Sequence, residues 1–395
     1  MLPLRLVFKP LAVLATACIC TPVLAQEQSL PERASSWIER NPRRLARQIN
    51  GAGLYASVGN LGEGAGSGPG VAYFEPDFSR TGLDLYVGRA ASFAGDSLYD
   101  LRLGRIPHEA GRAPSRRRTL DAISPSLCDG SNARPFFLYA EMRRHTLANG
   151  RIYNTAADAV PFVQQERSFE LVAGRALPHD FVASVRTGWI ETQATFEARP
   201  GNASPFDNVR DRSFFATTAS LAYDRRDQPR DPRRGAFVEA SLARYQGVGR
   251  NAASFDRFSL DARRYVPLGT ERHVLALRGL VGLASGRGDG AVPFFMQYTL
   301  GGSRTLRGVP QYRFRGPRTA AASAEYRFEV KGPLELAAFG DAGRVWGGAA
   351  ETGTHGLAYD YGVGLRIKAK GNVLRLDAAR GSEGSRIGIA FGVTF

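Results

Sequence analysis

The chain ends in RIGIAFGVTF, residues 386–395, which alternate without a break between large apolar and small or polar side chains. Ile387, Ile389, Phe391, Val393 and Phe395 share one face; Arg386, Gly388, Ala390, Gly392 and Thr394 share the other. Strand side chains alternate with period two, so one face here is continuously greasy while the other suits water. In a soluble protein the greasy face would pack on a core. In an outer-membrane barrel it meets lipid, and the opposite face lines a polar lumen. An aromatic as the very last residue favours the barrel and marks Phe395 as the C-terminal strand signal.

The same alternation extends backwards from that stretch. Leu275, Leu277, Val281 and Leu283 alternate with Ala276, Arg278 and Gly282. Tyr359, Tyr361, Val363, Leu365 and Ile367 alternate with Asp360, Gly362, Gly364 and Arg366, and Leu374, Leu376 and Ala378 with Arg375, Asp377 and Ala379. Charges fall on the non-greasy face, as a lipid-exposed wall requires, because an arginine at mid-bilayer costs about 2–4 kcal/mol. Alternation and turn signals from Gly51 onward predict an all-β fold, a transmembrane antiparallel β-barrel of about sixteen strands over residues 51–395. An open edge in lipid would leave backbone groups unsatisfied, so the wall is expected to close, with the strand carrying Phe395 beside the one beginning near Gly51.

Lys331-Gly332-Pro333, Ala369 to Asn372 and Asp224 to Gly235 read as tight or polar turns, whereas Pro200 to Arg212 and Gly286 to Arg318 read as longer loops. Short turns belong on the periplasmic rim and long loops outside. Pro107 to Asn132 departs from that rule, being a long connection where a short one is expected.

The N-terminus reads as a signal peptide over residues 1–25. Arg5 and Lys9 supply the positive start, Leu11 to Cys20 the apolar stretch, and Val23-Leu24-Ala25 the cleavage site before Gln26. That apolar run is shorter than the ~20 residues of a spanning helix. Residues 26–50 are polar and basic, with Trp37, Ile38, Leu45 and Ile49 as larger apolar side chains and a break at Asn41-Pro42. They suit a short periplasmic segment with helical character, read either as a lid or plug at the barrel mouth, as an interfacial helix, or as a loosely ordered leader.

Of three cysteines, Cys18 and Cys20 leave with the signal, and Cys128 alone allows no intrachain disulfide. Removing Arg5 and Lys9 takes 52 basic residues to 50, against 37 acidic, for a charge of +13. After the signal the only lysines are Lys331, Lys368 and Lys370, so the excess is arginine, which suits bidentate pairing with phosphate or carboxylate. A secreted basic chain of this kind is expected to meet outer-membrane lipid and lipopolysaccharide phosphates, or an anionic substrate. No signature of nucleic-acid binding is present.

More specific motifs lie between Ser213 and Phe395. Pro293-Phe294-Phe295 leads into Leu300-Gly301-Gly302-Ser303-Arg304-Thr305-Leu306-Arg307-Gly308, and Glu325-Tyr326-Arg327 and Phe339-Gly340-Asp341-Ala342-Gly343 follow downstream. Asp224, Asp227 and Gly235 form a turn pattern ahead of them. In this order and spacing the stretch resembles the BamA/TamA surface-antigen outer-membrane barrel superfamily. The resemblance implies a long extracellular loop folded inward, with Arg307 pinned by Asp341 and Glu325, and Gly308 leaving the tip free of a side chain. Gly301, Gly302, Arg327, Phe339 and Gly343 are its supporting motif positions. Val309 stands where the family prefers an aromatic, with Tyr312 and Phe314 nearby as substitutes. The chain has no room for the periplasmic docking domains of larger members and resembles a short branch lacking them.

The function so implied is insertion or transport of protein or lipid at the bacterial outer membrane, with client outer-membrane or secreted proteins as partners. A passive, porin-like diffusion channel is the alternative, since about sixteen strands can enclose an aqueous bore. A lipid-modifying enzyme is a third reading. His108, His145, His179, His273 and His355 show no nucleophile or metal-ligand spacing, and the expectation is no catalytic residue, no metal and no cofactor.

Overall fold

A computed structural model describes residues 53–61, 67–108, 135–153, 159–196, 211–249, 253–287, 291–347, 356–369, 372–392 and 394–395. The expected signal peptide, residues 26–50 and Cys128 lie outside them. The strands are β1 (Leu54–Asn60), β2 (Ser67–Glu75), β3 (Asp84–Ala91), β4 (Ser97–Arg105), β5 (Phe136–Tyr153) and β6 (Ala159–Leu177). Next come β7 (Phe181–Phe196), β8 (Asp211–Asp224), β9 (Gly235–Val248), β10 (Ser254–Leu268), β11 (Thr270–Arg287), β12 (Tyr298–Leu300) and β13 (Phe314–Gly316). The last are β14 (Arg318–Lys331), β15 (Leu334–Trp346), β16 (Ala358–Ala369), β17 (Asn372–Gly381) and β18 (Gly384–Phe391).

Sixteen of these form one antiparallel sheet in chain order, β1 to β11 and then β14 to β18. The small hairpin β12–β13 belongs to the connection between β11 and β14. The two ends of the sheet meet again, β18 touching β1. Among the described residues no hydrogen-bonded register joins those two strands. The fold is the all-β transmembrane barrel that the alternation predicts.

Facing directions follow the pleat. Leu277, Leu283, Leu336, Tyr361 and Val363 are exposed on the outer wall, and Ile387 and Ile389 are its most exposed large residues at 81% and 68%. Inside, two apolar layers bracket the charged groups. Phe74, Tyr86, Phe137, Val172, Val182 and Phe237 form one near the short-turn rim. Phe162, Phe196, Phe214 and Phe255 form the other, packed around Phe294, Phe295 and Met296 of the long loop.

The turn before β9 shows why its residue pattern recurs. The Asp227 carboxylate accepts the backbone N–H groups of Gln228, Arg233 and Arg234. Gly235 has φ +103°, and a Cβ there would sit 1.9 Å from the Arg225 carbonyl oxygen, so only glycine fits. The unexpected connection between β4 and β5 does lie on the short-turn rim, though residues 109–134 are outside the described set. Its start is anchored where the buried Asp84 carboxylate accepts the Ile106 N–H at 3.0 Å.

The chain terminus corrects one expectation. Phe395 is not on the final strand. β18 stops at Phe391, Gly392 takes φ +87°, and Phe395 turns into the lumen against Tyr265, Val274 and Ala276. The Tyr265 hydroxyl donates to the Phe395 carbonyl at 2.8 Å. A buried apolar niche on the opposite wall and a tyrosine donor outweigh continuing the ladder for four more residues.

Candidate functional site

The long loop between β11 and β14 fills the lumen in three steps. Its first anchor is the turn Phe294–Met296, all three residues buried, with the Phe294 ring edge-on to Phe162 at 5.4 Å. Arg315 donates to the Phe294 carbonyl at 2.7 Å. The hairpin β12–β13 follows, and the Tyr298 hydroxyl donates to the Phe258 carbonyl on the wall at 2.7 Å.

The third step is the tip. Gly301 and Gly302 have φ of +114° and +91°, and a Cβ on Gly301 would meet the Pro310 carbonyl at 2.1 Å, so the Gly-Gly pair is required by the reversal. The Gly302 N–H faces the carbonyls of Leu306 and Val309, each at 3.0 Å. Leu300, Leu306 and Val309 are fully buried and pack with Ala358. Val309 fills the place of an aromatic as a small core residue, while Tyr312 is buried at φ +63°.

Arg307 emerges from this tip buried against β14 and β15. Its Nε and Nη2 donate to the two Asp341 oxygens at 2.7 and 3.0 Å, a bidentate pair, and its Nη1 donates to Glu325. The guanidinium carbon lies 3.4 Å above the Phe339 ring centroid. The three motif positions of β15 therefore have separate jobs. Phe339 offers a π-face, Asp341 the bidentate acceptor, and Gly343 makes room for the loop, since a Cβ there would lie 2.9 Å from Leu300 Cδ1. Gly308 serves similarly. Its φ is ordinary, but a Cβ would lie 2.8 Å from the Asp360 Cβ on β16.

Glu325 is the hub. It also accepts from Arg327 Nε at 2.7 Å, Arg366 Nη2 at 3.0 Å and the Thr394 hydroxyl at 3.1 Å. Arg366 continues to Asp377 at 2.5 Å, and Arg375 donates to the Thr394 hydroxyl at 2.6 Å and to the Ser303 carbonyl at 3.0 Å. From β11, Arg278 donates to the Arg304 carbonyl at 2.9 Å. The loop tip is thus gripped from both sides. Charges this deep are stable only when paired, and each has a counter-charge here, although Arg327 Nη2 and Arg375 Nε find no acceptor among the described residues.

The structure brings Arg307, Gly308, Glu325, Arg327, Phe339, Asp341 and Gly343 together, with Gly301 and Gly302 shaping the tip behind them. Sequence reasoning missed Ser303, Asp360, Arg366, Arg375, Asp377 and Thr394. Alternation already placed Arg366, Arg375 and Asp377 inward; their partners depend on strand register, which alternation leaves open. A second buried network on the far wall was missed as well. There Arg102 pairs with Asp100 at 2.5 Å and Glu141 at 3.0 Å, and Arg186 bridges Glu141 and Glu170.

A sixteen-stranded barrel with a greasy outer wall and a loop clamped to its charged lumen defines an outer-membrane barrel protein with an inward-folded loop. An Omp85 superfamily domain matches residues 145–393, and the chain belongs to that superfamily. BamA from Haemophilus ducreyi lacking POTRA domains 1–3 is similar in structure, with TM-score 0.60 and 14% identity over 86% of this chain and 68% of that one. CdiB from Escherichia coli matches with TM-score 0.55 and 10% identity, and CdiB from Acinetobacter baumannii with 0.52 and 12%. Each match covers 86% of this chain but only 62% and 59% of the two CdiB chains, less than two thirds of their length. At such identities these likenesses speak for the fold. No curated protein matches the chain.

Proposed function

We propose that this barrel takes part in inserting or transporting protein or lipid at the outer membrane, acting without catalysis, with the long loop as its moving or guiding part. The observation that carries the reading is the linkage of Arg307 to Glu325, which also binds Thr394 beyond the last strand. Through that carboxylate the loop tip and the residues that follow β18 share one polar network. Membership of the Omp85 superfamily supports the same reading.

A passive pore would need an open bore, whereas here Phe294, Phe295, Leu300, Leu306 and Val309 of the loop are buried inside the wall. Planar-bilayer recordings test the proposal against the diffusion channel. The expected result is a small basal conductance that rises when Arg307→Ala frees the loop. A large, steady conductance unaffected by that change supports the channel. Accelerated assembly of an added unfolded outer-membrane barrel in liposomes carrying the wild-type protein, lost in Arg307→Ala, would support the insertion role.

A further inference from the structure

The outer wall of β3 to β6 carries a row of positive charge. Arg89 is the direct cross-strand partner of Tyr99, Tyr99 of Arg144, and Arg144 of Arg167. Cross-strand partners share a face, and this one is the lipid face. On β6, Phe169 and Leu171 lie exposed between Arg167 and Arg175; on β5, Leu138 and Met142 lie exposed below Arg144; on β4, Leu101 and Leu103 lie exposed between Tyr99 and Arg105. Arg167 and Arg175 are eight residues apart, about 21 Å of height at the tilt and rise of a barrel strand, close to the ~25 Å apolar band of an outer-membrane wall. The row therefore sits where the apolar band ends on the long-loop side, at the headgroup level of the outer leaflet.

Arg144 and Arg167 are exposed, and neither forms an ion pair or hydrogen bond among the described residues. Like charges directly opposite in a sheet are destabilising unless a counter-charge joins them. Among the described residues Arg89 makes only a cation–π contact with Tyr99, at 5.2 Å. Glu191, the next residue of the row, accepts from Gln193 at 3.5 Å and leaves Arg167 unpaired. Farther round the wall the fold treats arginines differently, because Arg244 and Arg287 both pair with Asp256 at 3.0 Å.

We propose that Arg89, Arg144 and Arg167, with Tyr99, form a binding site for the phosphate groups of an outer-leaflet glycolipid, whose acyl chains lie on Met142, Phe169 and Leu171. Guanidinium forks match phosphate oxygens bidentately, and the two adjacent arginines converge on one group. The site is independent of the transport reading, needing only a barrel in an outer membrane.

Native mass spectrometry in detergent micelles, with diphosphoryl lipid A as probe, tests it. Binding to Arg144→Gln/Arg167→Gln is expected to fall at least about tenfold relative to wild type, and binding to the Arg244→Gln control to stay unchanged. Phosphate-free lipid A is expected to bind wild type and double variant alike. Heat-modifiable migration verifies that each variant is folded. Equal retention of the diphosphoryl probe by the double variant would overturn the proposal. So would competition by phosphatidylglycerol at equal concentration, which would make the row a general contact for anionic lipid.

Discussion

Gly308 is a glycine for want of space and not for its dihedral angles, and the distinction sets what a side chain there would do. Gly308→Ala drives a methyl against Asp360 and should lift the tip from the wall, exposing residues 286–318 to protease, the outcome also expected of Arg307→Ala. Removing Arg307 leaves Asp341 and Glu325 as buried carboxylates with one cation fewer. The expected loss is about 3–5 kcal/mol, the range for breaking a buried pair. Adding Asp341→Asn to Arg307→Ala should cost much less than Asp341→Asn alone; urea unfolding of the four proteins of that cycle measures the coupling, and independent addition would refute the clamp. Lysine at position 307 should not restore it, because an ammonium cannot make the bidentate contact. The pinning residues were legible because motif order and pleat direction agree on Arg307, Glu325 and Asp341. The rest of the network was not, since nothing local in Arg375 or Thr394 announces that they meet.

At the scale of elements, alternation located the strands but not where the last one stops. Gly392 fits the small-residue face of a continuing strand equally well, and only the occupied niche beside Tyr265 shows that it is a hinge. The tail beyond it docks across the lumen. Phe395→Ala should therefore lower the temperature at which heat-modifiable migration is lost, with a cost of about 3–5 kcal/mol for emptying a buried aromatic site. Tyr265→Phe, which removes only the donor to the terminal carbonyl, should cost about 1 kcal/mol. If both variants melt like wild type, the tail is not a structural tie. A different cost applies at the turn before β9, where Gly235→Ala combines a positive φ with a backbone collision. It should destabilise by more than the 1–2 kcal/mol, roughly, of the left-handed conformation alone.

For the whole molecule, the count of about sixteen strands was readable because a lipid-facing wall imposes the same period on each of them. The filling of the barrel was less so. The interior layers of Phe162, Phe214 and Phe294 come from segments far apart in the chain, and no local pattern links them. If residues 26–50 plug or line the lumen, deleting them should raise single-channel conductance while heat-modifiable migration persists; unchanged conductance would favour a loose leader.

Strand lengths differ sharply around the wall. β4 has 9 residues, about 23 Å of height at barrel tilt, whereas β5 has 18, about 47 Å, for an apolar band of about 25 Å. On β5 and β6 the surplus lies above Arg144 and Arg167, on the outer side. Among the described residues the outer rim is accordingly uneven, the sheet of β5 to β11 standing higher than that of β1 to β4. The raised ends of β5 to β7 offer an antibody or a phage tail fibre approaching from the medium a discontinuous epitope held together by strand pairing. Serum raised against the folded protein should bind intact cells and lose recognition of the boiled polypeptide.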